Sequence, residues 1–181
     1  MAKYGKIIGQ VLQLLAGGFM LGYIRDKRMR RQIYQECDRV WYSIDKRQLF
    51  QLLDYLKLNG VIKIIKDNNG IEKVNLTNRG QARLLKYNYH NLVIKRAKRW
   101  DKKWRIVIFD IPETKRKVRD ALRSKLKKFG FLELQKSIFI YPFSCRDEIN
   151  FVINFWGIND NVYYLKSTIS GDNKLRRYFR V

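Results

Sequence analysis

The segment from Trp104 to Pro142 reads WRIVIFDIPETKRKVRDALRSKLKKFGFLELQKSIFIYP, an apolar run closed by one carboxylate, Asp110, and followed by a stretch dense in Lys and Arg. A carboxylate at the end of a buried strand, set in a field of cations, can hold a hard divalent ion such as Mg2+ or Mn2+ where phosphate gathers. The competing reading is structural, with Asp110 capping a helix that begins near Pro112. Beyond Asp110 the chemical repertoire is narrow. The sequence has no second acidic cluster, no HExxH, no nucleophilic Ser or Cys beside a base and no glycine-rich phosphate loop. Any catalysis is therefore expected to be metal-assisted phosphodiester cleavage, by an endoribonuclease or endodeoxyribonuclease. His90 sits in KYNYHNL without a Ser, Cys or second His and reads as a surface or packing residue. Cys37 and Cys145 lack a CxxC spacing, which points to a reducing compartment, the cytoplasm, and to no zinc site.

Charge names the class of partner. The 181 residues include 39 Lys and Arg against 16 Asp and Glu, a formal net charge of +23. Such an imbalance repels itself unless a polyanion is bound, so nucleic acid is the default partner, duplex DNA ahead of RNA. An anionic membrane surface and an idle charged surface are the alternatives. At 46% hydrophobic and 14% aromatic, the chain is expected to fold. Its first residues are basic and Ile7 to Tyr23 mostly apolar, as in a signal peptide or anchor. Gln10 and Gln13 interrupt that run, and Ile7, Ile8, Val11, Leu12 and Leu15 recur at helical spacing. The expectation is a core helix ending near Gly17-Gly18 and no membrane partner.

The elements that position these residues can be read in order. Lys27 to Cys37 makes a basic helix. Asp45 to Asn59 places Leu49, Leu52, Leu53 and Leu56 at i, i+3, i+4 and i+7, so one helix face is buried and Gly60 ends it. VIKIIK and IEKVNL alternate around Asp67 to Gly70 (DNNG), a two-stranded hairpin. Thr77 is the N-cap of a helix from Asn78 to Lys86, with Ala82, Leu84 and Leu85 available to pack inward.

The order of helices and hairpin, the LKLNGVI junction, the DNNG tip and Leu76-Thr77-Asn78-Arg79-Gly80 resemble a winged helix-turn-helix over about residues 5 to 87. The resemblance implies that the Asp45 to Asn59 helix enters the major groove, with Lys46, Arg47, Gln48 and Gln51 as base-edge candidates. Lys66, Asn69 and Lys73 of the wing would then meet phosphate or the minor groove. Read from charge alone, the same residues are a solvated helix face and a loop tip.

Between Lys95 and Lys103 periodicity disappears and charge accumulates, which sets a module boundary and gives expected domains of 1–94 and 95–181. Lys95 to Lys128 contains fifteen Lys or Arg and four Asp or Glu, and its cations Lys95, Arg96, Lys98, Arg99, Lys102, Lys103, Lys115, Arg116, Lys117 and Arg119 are nucleic-acid candidates. Arg105 to Phe109 reads as a strand. A helix follows with Val118, Ala121, Leu122, Leu126 and Phe129 as its buried stripe, and Leu132 to Ile140 reads as a second strand. Asp147 to Trp156 reads as a helix, Val162 to Lys166 as a strand, and the terminal KLRRYFRV as a weak further strand. Alternating strands and helices imply an α+β chain whose second module is a ferredoxin-like sheet with helices on one face.

Asp110, Arg116, Leu122, Gly130 and Gln135-Lys136-Ser137-Ile138-Phe139 resemble the Cas-two family of small CRISPR-associated adaptation nucleases over roughly residues 103 to 181. The same segment resembles the middle domain of the PaaX repressors of phenylacetate degradation, which join a winged helix to a Cas-two-like domain. Ile140-Tyr141-Pro142 is closer to the repressor version, whereas the nuclease family often has an acidic residue there.

The resemblance implies a homodimeric, cytoplasmic DNA-binding protein of PaaX-like regulator type. The alternative is a Mg- or Mn-dependent endonuclease in which two copies of Asp110 face each other across a dimer axis and share the metal. Arg116 and Ser137 would position phosphate beside Asp110, although Arg116 can equally pair with Glu113 at i, i+3. In the nuclease family the terminal segment pairs with the partner chain, so a swapped edge strand is the expectation there.

Overall fold

The computed structural model describes residues 8, 9, 11, 12, 15, 46–66 and 72–181, with the backbone alone at 46, 48–50, 66, 72 and 73. Two compact units divide the chain, Met1–His90 and Asn91–Val181. The basic helix expected at Lys27 to Cys37, the stop at Gly17-Gly18, the turn Asp67 to Gly70, Cys37 and Ile7 lie outside the described residues.

In the first unit, Ile8, Val11, Leu12 and Leu15 are helical, as their spacing predicts, and Gly9 is helical between them. The helix α1 spans Lys46–Leu58 and buries Leu52 and Leu56. It closes with paired reverse bonds, Gly60 N–H to Lys57 O at 2.9 Å and Val61 N–H to Leu56 O at 2.9 Å. That closure places Gly60 at φ 63, where a side chain would be strained. Strands β1 (Ile62–Lys66) and β2 (Glu72–Leu76) pair antiparallel from Ile62↔Leu76 to Lys66↔Glu72.

Helix α2 then runs Asn78–Asn91, further than the expected stop at Lys86. Thr77 joins the pieces. Its hydroxyl donates to Gly60 O at 2.6 Å and accepts the Gly80 N–H at 3.1 Å, so one side chain caps α2 and ties it to the end of α1.

Ile8, Val11, Leu12, Leu52, Leu56, Val61 and Ile62 form the core of this unit, with Leu84 packed against it. Burying a side chain such as Leu12 or Leu56 completely contributes about 2 kcal/mol. Of the three apolar residues expected to point inward from α2, Ala82 and Leu85 are exposed; Gly80 and Tyr89 are buried instead. The backbone of Gly80 lies so close to Val61 O that any Cβ there would collide with it, and this contact fixes the rotation of α2. Ala82, two residues on, is thereby turned to the far side.

The second unit contains β3 (Trp104–Phe109), a 3-10 turn (Glu113–Lys115), α3 (Arg116–Lys128), β4 (Leu132–Gln135), β5 (Ile138–Tyr141), α4 (Arg146–Trp156), β6 (Val162–Ser167) and α5 (Asn173–Phe179). The sheet is antiparallel in the order β4-β5-β3-β6, the βαββαβ arrangement of a ferredoxin-like domain with one further helix. Two expectations are corrected. Leu132 to Ile140 is a hairpin rather than one strand, because Lys136 and Ser137 form a turn and Leu132 pairs with Ile140. Even-numbered apolar positions suit either geometry, so alternation alone does not separate them. KLRRYFRV belongs to a helix and not to an edge strand: α5 buries Phe179 against the rings of Trp104 and Tyr141, at 5.7 and 6.1 Å.

Register assigns the two sheet faces. Val107, Phe109, Phe139, Tyr164 and Glu133 share one face. The helices cover it, as Arg123 and Lys127 of α3 reach Glu133, each at 2.6 Å, and Cys145 before α4 lies 3.8 Å from the Tyr164 hydroxyl. On α3, Leu122, Leu126 and Phe129 are buried while Val118 and Ala121 are half-buried. The opposite face carries Ile106, Ile108, Ile138, Ile140, Tyr163 and Leu165, of which Tyr163 is 61% and Leu165 45% exposed.

Candidate nucleic-acid interface

The base-edge candidates occupy the start of α1, where the first turn contains no acidic residue. Arg47 and Gln51 are exposed one turn apart, away from the buried Leu52 and Leu56. Lys46 and Gln48 lie on the same helix. Lys66 ends β1 opposite Glu72, and Lys73 stands in β2 opposite Ile65; Asn69 lies outside the described residues.

In the second unit, Lys95, Arg96, Lys98, Arg99, Lys102 and Lys103 are exposed along a connector without regular structure. Internal bonds shape it. Trp100 Nε1 donates to Lys103 O at 3.1 Å, and Lys103 N–H donates to Asp101 Oδ1 at 3.2 Å. Arg105 is only 4% exposed and grips Asp101 through both terminal nitrogens, at 2.5 and 2.9 Å, while also donating to Pro142 O at 2.8 Å. The guanidinium holds the Asp101 carboxyl far below the usual carboxylate range against the opposing effect of burial, and Lys166 adds to it from 3.0 Å. Arg96 lies over the Phe143 ring at 5.1 Å and donates to Phe179 O at 3.3 Å.

Around Asp110 the geometry corrects the capping alternative. Pro112 precedes the 3-10 turn and Lys115 precedes α3, and neither helix start has a side-chain cap. Asp110 is exposed and is held by its backbone, its N–H bonding Asn161 O and its carbonyl accepting Asn161 Nδ2, both at 2.9 Å. Its carboxylate makes no hydrogen bond or ion pair among the described residues. Ser137 comes to the same sheet end, its carbonyl accepting the Phe109 N–H at 3.1 Å. Arg116 is exposed between Glu113 and Asp120, 3.8 Å from each, and Arg119 is paired with Glu113 at 2.8 Å. Lys115 and Lys117 are exposed without an ion pair among the described residues. No group of three or more His, Cys, Asp or Glu capable of holding a metal occurs among the described residues.

The terminal segment, expected as a strand, instead carries a buried acid and a held cation on α5. Asp172 is buried at the start of α5 and receives Trp104 Nε1 at 2.8 Å and Arg176 Nε at 2.7 Å. Arg176 then lies over the Trp100 ring at 5.1 Å, and Arg180 follows the helix. The missed signal is the Asp-x-x-x-Arg spacing, an acid at a helix start with a cation one turn later. Among the described residues no helix is long and apolar enough to cross a membrane.

No curated protein matches this chain. Among solved structures, the uncharacterized protein Rv0674 from Mycobacterium tuberculosis is similar over 74% of this chain at 18% identity and a TM-score of 0.36; the chain spans about half of that protein, 52% of its length. Residues 97–178, most of the second unit, match the family model described as the PaaX protein central Cas2-like domain.

Proposed function

We propose that this protein is a homodimeric DNA-binding regulator of PaaX type. In this reading the first unit is a winged helix that reads duplex DNA through α1, and the second adds a dimerising, basic Cas-two-like domain. The observation that carries it is the start of α1: Arg47 and Gln51 are exposed on one face of a helix whose other face is buried, with no acid in the first turn. The hairpin and the Thr77 latch behind that helix, and the central-domain match downstream, support the same assignment. Tyr163 and Leu165, exposed on the sheet face away from the helices, support a second copy as the dimer partner.

Fluorescence anisotropy with a labelled duplex across a salt series tests the reading. The affinity falls steeply with salt, and Arg47→Ala/Gln51→Ala loses discrimination between a selected duplex and a random one. Salt-independent binding, or a monomer in light scattering, refutes it.

A second reading, a Mg- or Mn-dependent nuclease acting on DNA or RNA, rests on the exposed Asp110 carboxylate at the end of β3. It requires a second chain, since one chain offers one carboxylate there. Cleavage that needs added metal and disappears in Asp110→Ala supports this reading, and cleavage that survives the substitution removes it.

A further inference from the structure

We propose that the second unit holds a phosphate-binding cleft, built where the connector before β3 meets α5, and that it grips the DNA backbone independently of α1. The cavity, of about 510 Å3, is lined by Lys98, Arg99, Lys102, Arg176 and Arg180 around Trp100. The size suits one or two phosphate-bearing units. Two stretches nearly eighty residues apart in sequence supply these cations, so the concentration of charge belongs to the fold and not to a basic run.

Three features distinguish the cleft from a solvated charged face. Lys98, Arg99, Lys102 and Arg180 form no ion pair among the described residues, and the neighbouring acids are already committed, Asp101 to Arg105 and Lys166, Asp172 to Trp104 and Arg176. Part of the wall is held by contacts. Arg176 is fixed between Asp172 and the Trp100 ring, Trp100 lies 4.9 Å from Trp104, and Phe143 is held under Arg96.

The third feature is backbone conformation. Lys102 at φ 57 and Arg180 at φ 55 are the described non-glycine residues with left-handed backbone, and both line this cavity. Arg180 ends α5 at a position where Gly or Asn is the easier choice. A long cation at each of two left-handed positions lining one cavity argues for a role of the side chain, and guanidinium and ammonium groups converging on a concave surface recognise phosphate. Nucleic-acid backbone and a free nucleotide offer the same phosphate chemistry; the +23 charge favours the backbone.

The DNA form of this inference rests on the regulator reading, and the test separates the two. Lys102→Asn/Arg180→Asn removes two cleft cations with a residue that tolerates left-handed backbone. Lys128→Gln/Lys136→Gln removes the same charge from the end of α3 and from the turn between β4 and β5, outside the cleft. Each variant, once shown to melt as the parent does, is titrated with labelled duplex DNA and with adenosine triphosphate.

The cleft pair should weaken duplex binding about tenfold or more and reduce the slope of log affinity against log salt by about two, with the control pair changing affinity less than about threefold. Loss confined to adenosine triphosphate, with no duplex binding by the parent, would keep the cleft as a free-nucleotide site and reject the regulator reading. Duplex binding that the cleft pair leaves at parental strength, or weakens no more than the control, overturns the cleft while the regulator reading stands. A parent that binds neither probe overturns both.

Discussion

The indole N–H of Trp104 donates to Asp172 Oδ2 at 2.8 Å, joining the first residue of β3 to the residue before α5 across 68 positions of sequence. Both partners are buried, and the other carboxylate oxygen holds Arg176. One aspartate thus fixes the terminal helix and aims a cation into the cleft. The Trp104 bond first, and Arg176 with it, lowers the Asp172 pKa against the opposing effect of burial. A depressed carboxylate pKa stabilises the fold above the ordinary carboxylate range, and that contribution disappears as pH falls through the folded value. Asp172→Asn, which keeps an acceptor, should melt below the parent, and Asp172→Leu lower still; equal melting temperatures at pH 7 contradict the assignment.

Asp101 and Arg105 form a pair with unequal burial. Asp101→Ala strands a guanidinium that is 4% exposed, although its bonds to Lys103 O and Pro142 O remain. Because Asp101 is 41% exposed, water screens part of the interaction, and the expected loss is about 1–2 kcal/mol by chemical denaturation. Adding Arg105→Met should recover part of it, since removing both partners avoids an unpaired buried charge. As with Asp172, the pair's contribution is present above about pH 4 and is lost on further acidification.

Gly80→Ala should destabilise the first unit by about 1–3 kcal/mol, because the new methyl would meet the Val61 carbonyl rather than a movable side chain. Thr77→Ala removes the cap from the Gly80 N–H and should cost about 1 kcal/mol. Denaturation of both variants checks the ordering. A neutral Gly80→Ala would show that α2 can shift away from Val61.

Burial pushes the Cys145 thiol up to about 12, with the Tyr164 hydroxyl 3.8 Å away. In a Cys37→Ser background at pH 8, a thiol-reactive disulfide should label Cys145 only after denaturant is added. The thiol ionises near pH 8.5 when unfolded and stays protonated when folded, so stability should also fall as pH rises above about 8.5. Rapid labelling of the native protein contradicts the placement.

Some of this architecture was legible because it rests on local periodicity. Leucines at helical spacing gave α1 within a residue or two, the caps at Gly60 and Thr77 follow from chemistry that acts over three or four residues, and the apolar run gave β3. The T-x-x-G pattern also has a physical meaning that spacing alone leaves hidden: Thr77 supplies the cap, and Gly80 supplies the missing Cβ beneath Val61.

What the sequence determined by itself is therefore the net charge and the local elements. A net charge of +23 is independent of fold, and each helix or strand signal spans a few neighbouring residues. The tertiary structure decided where alternation reverses and which charges stand together. Leu132 to Ile140 alternates equally well as a strand or a hairpin, and pairing of Leu132 with Ile140 selects the hairpin. KLRRYFRV becomes a helix because Phe179 finds an aromatic pocket and Asp172 finds Trp104, partners far away in the chain. The grouping of Lys98, Arg99 and Lys102 with Arg176 and Arg180 has the same origin, since contacts between distant residues carry no periodic signal.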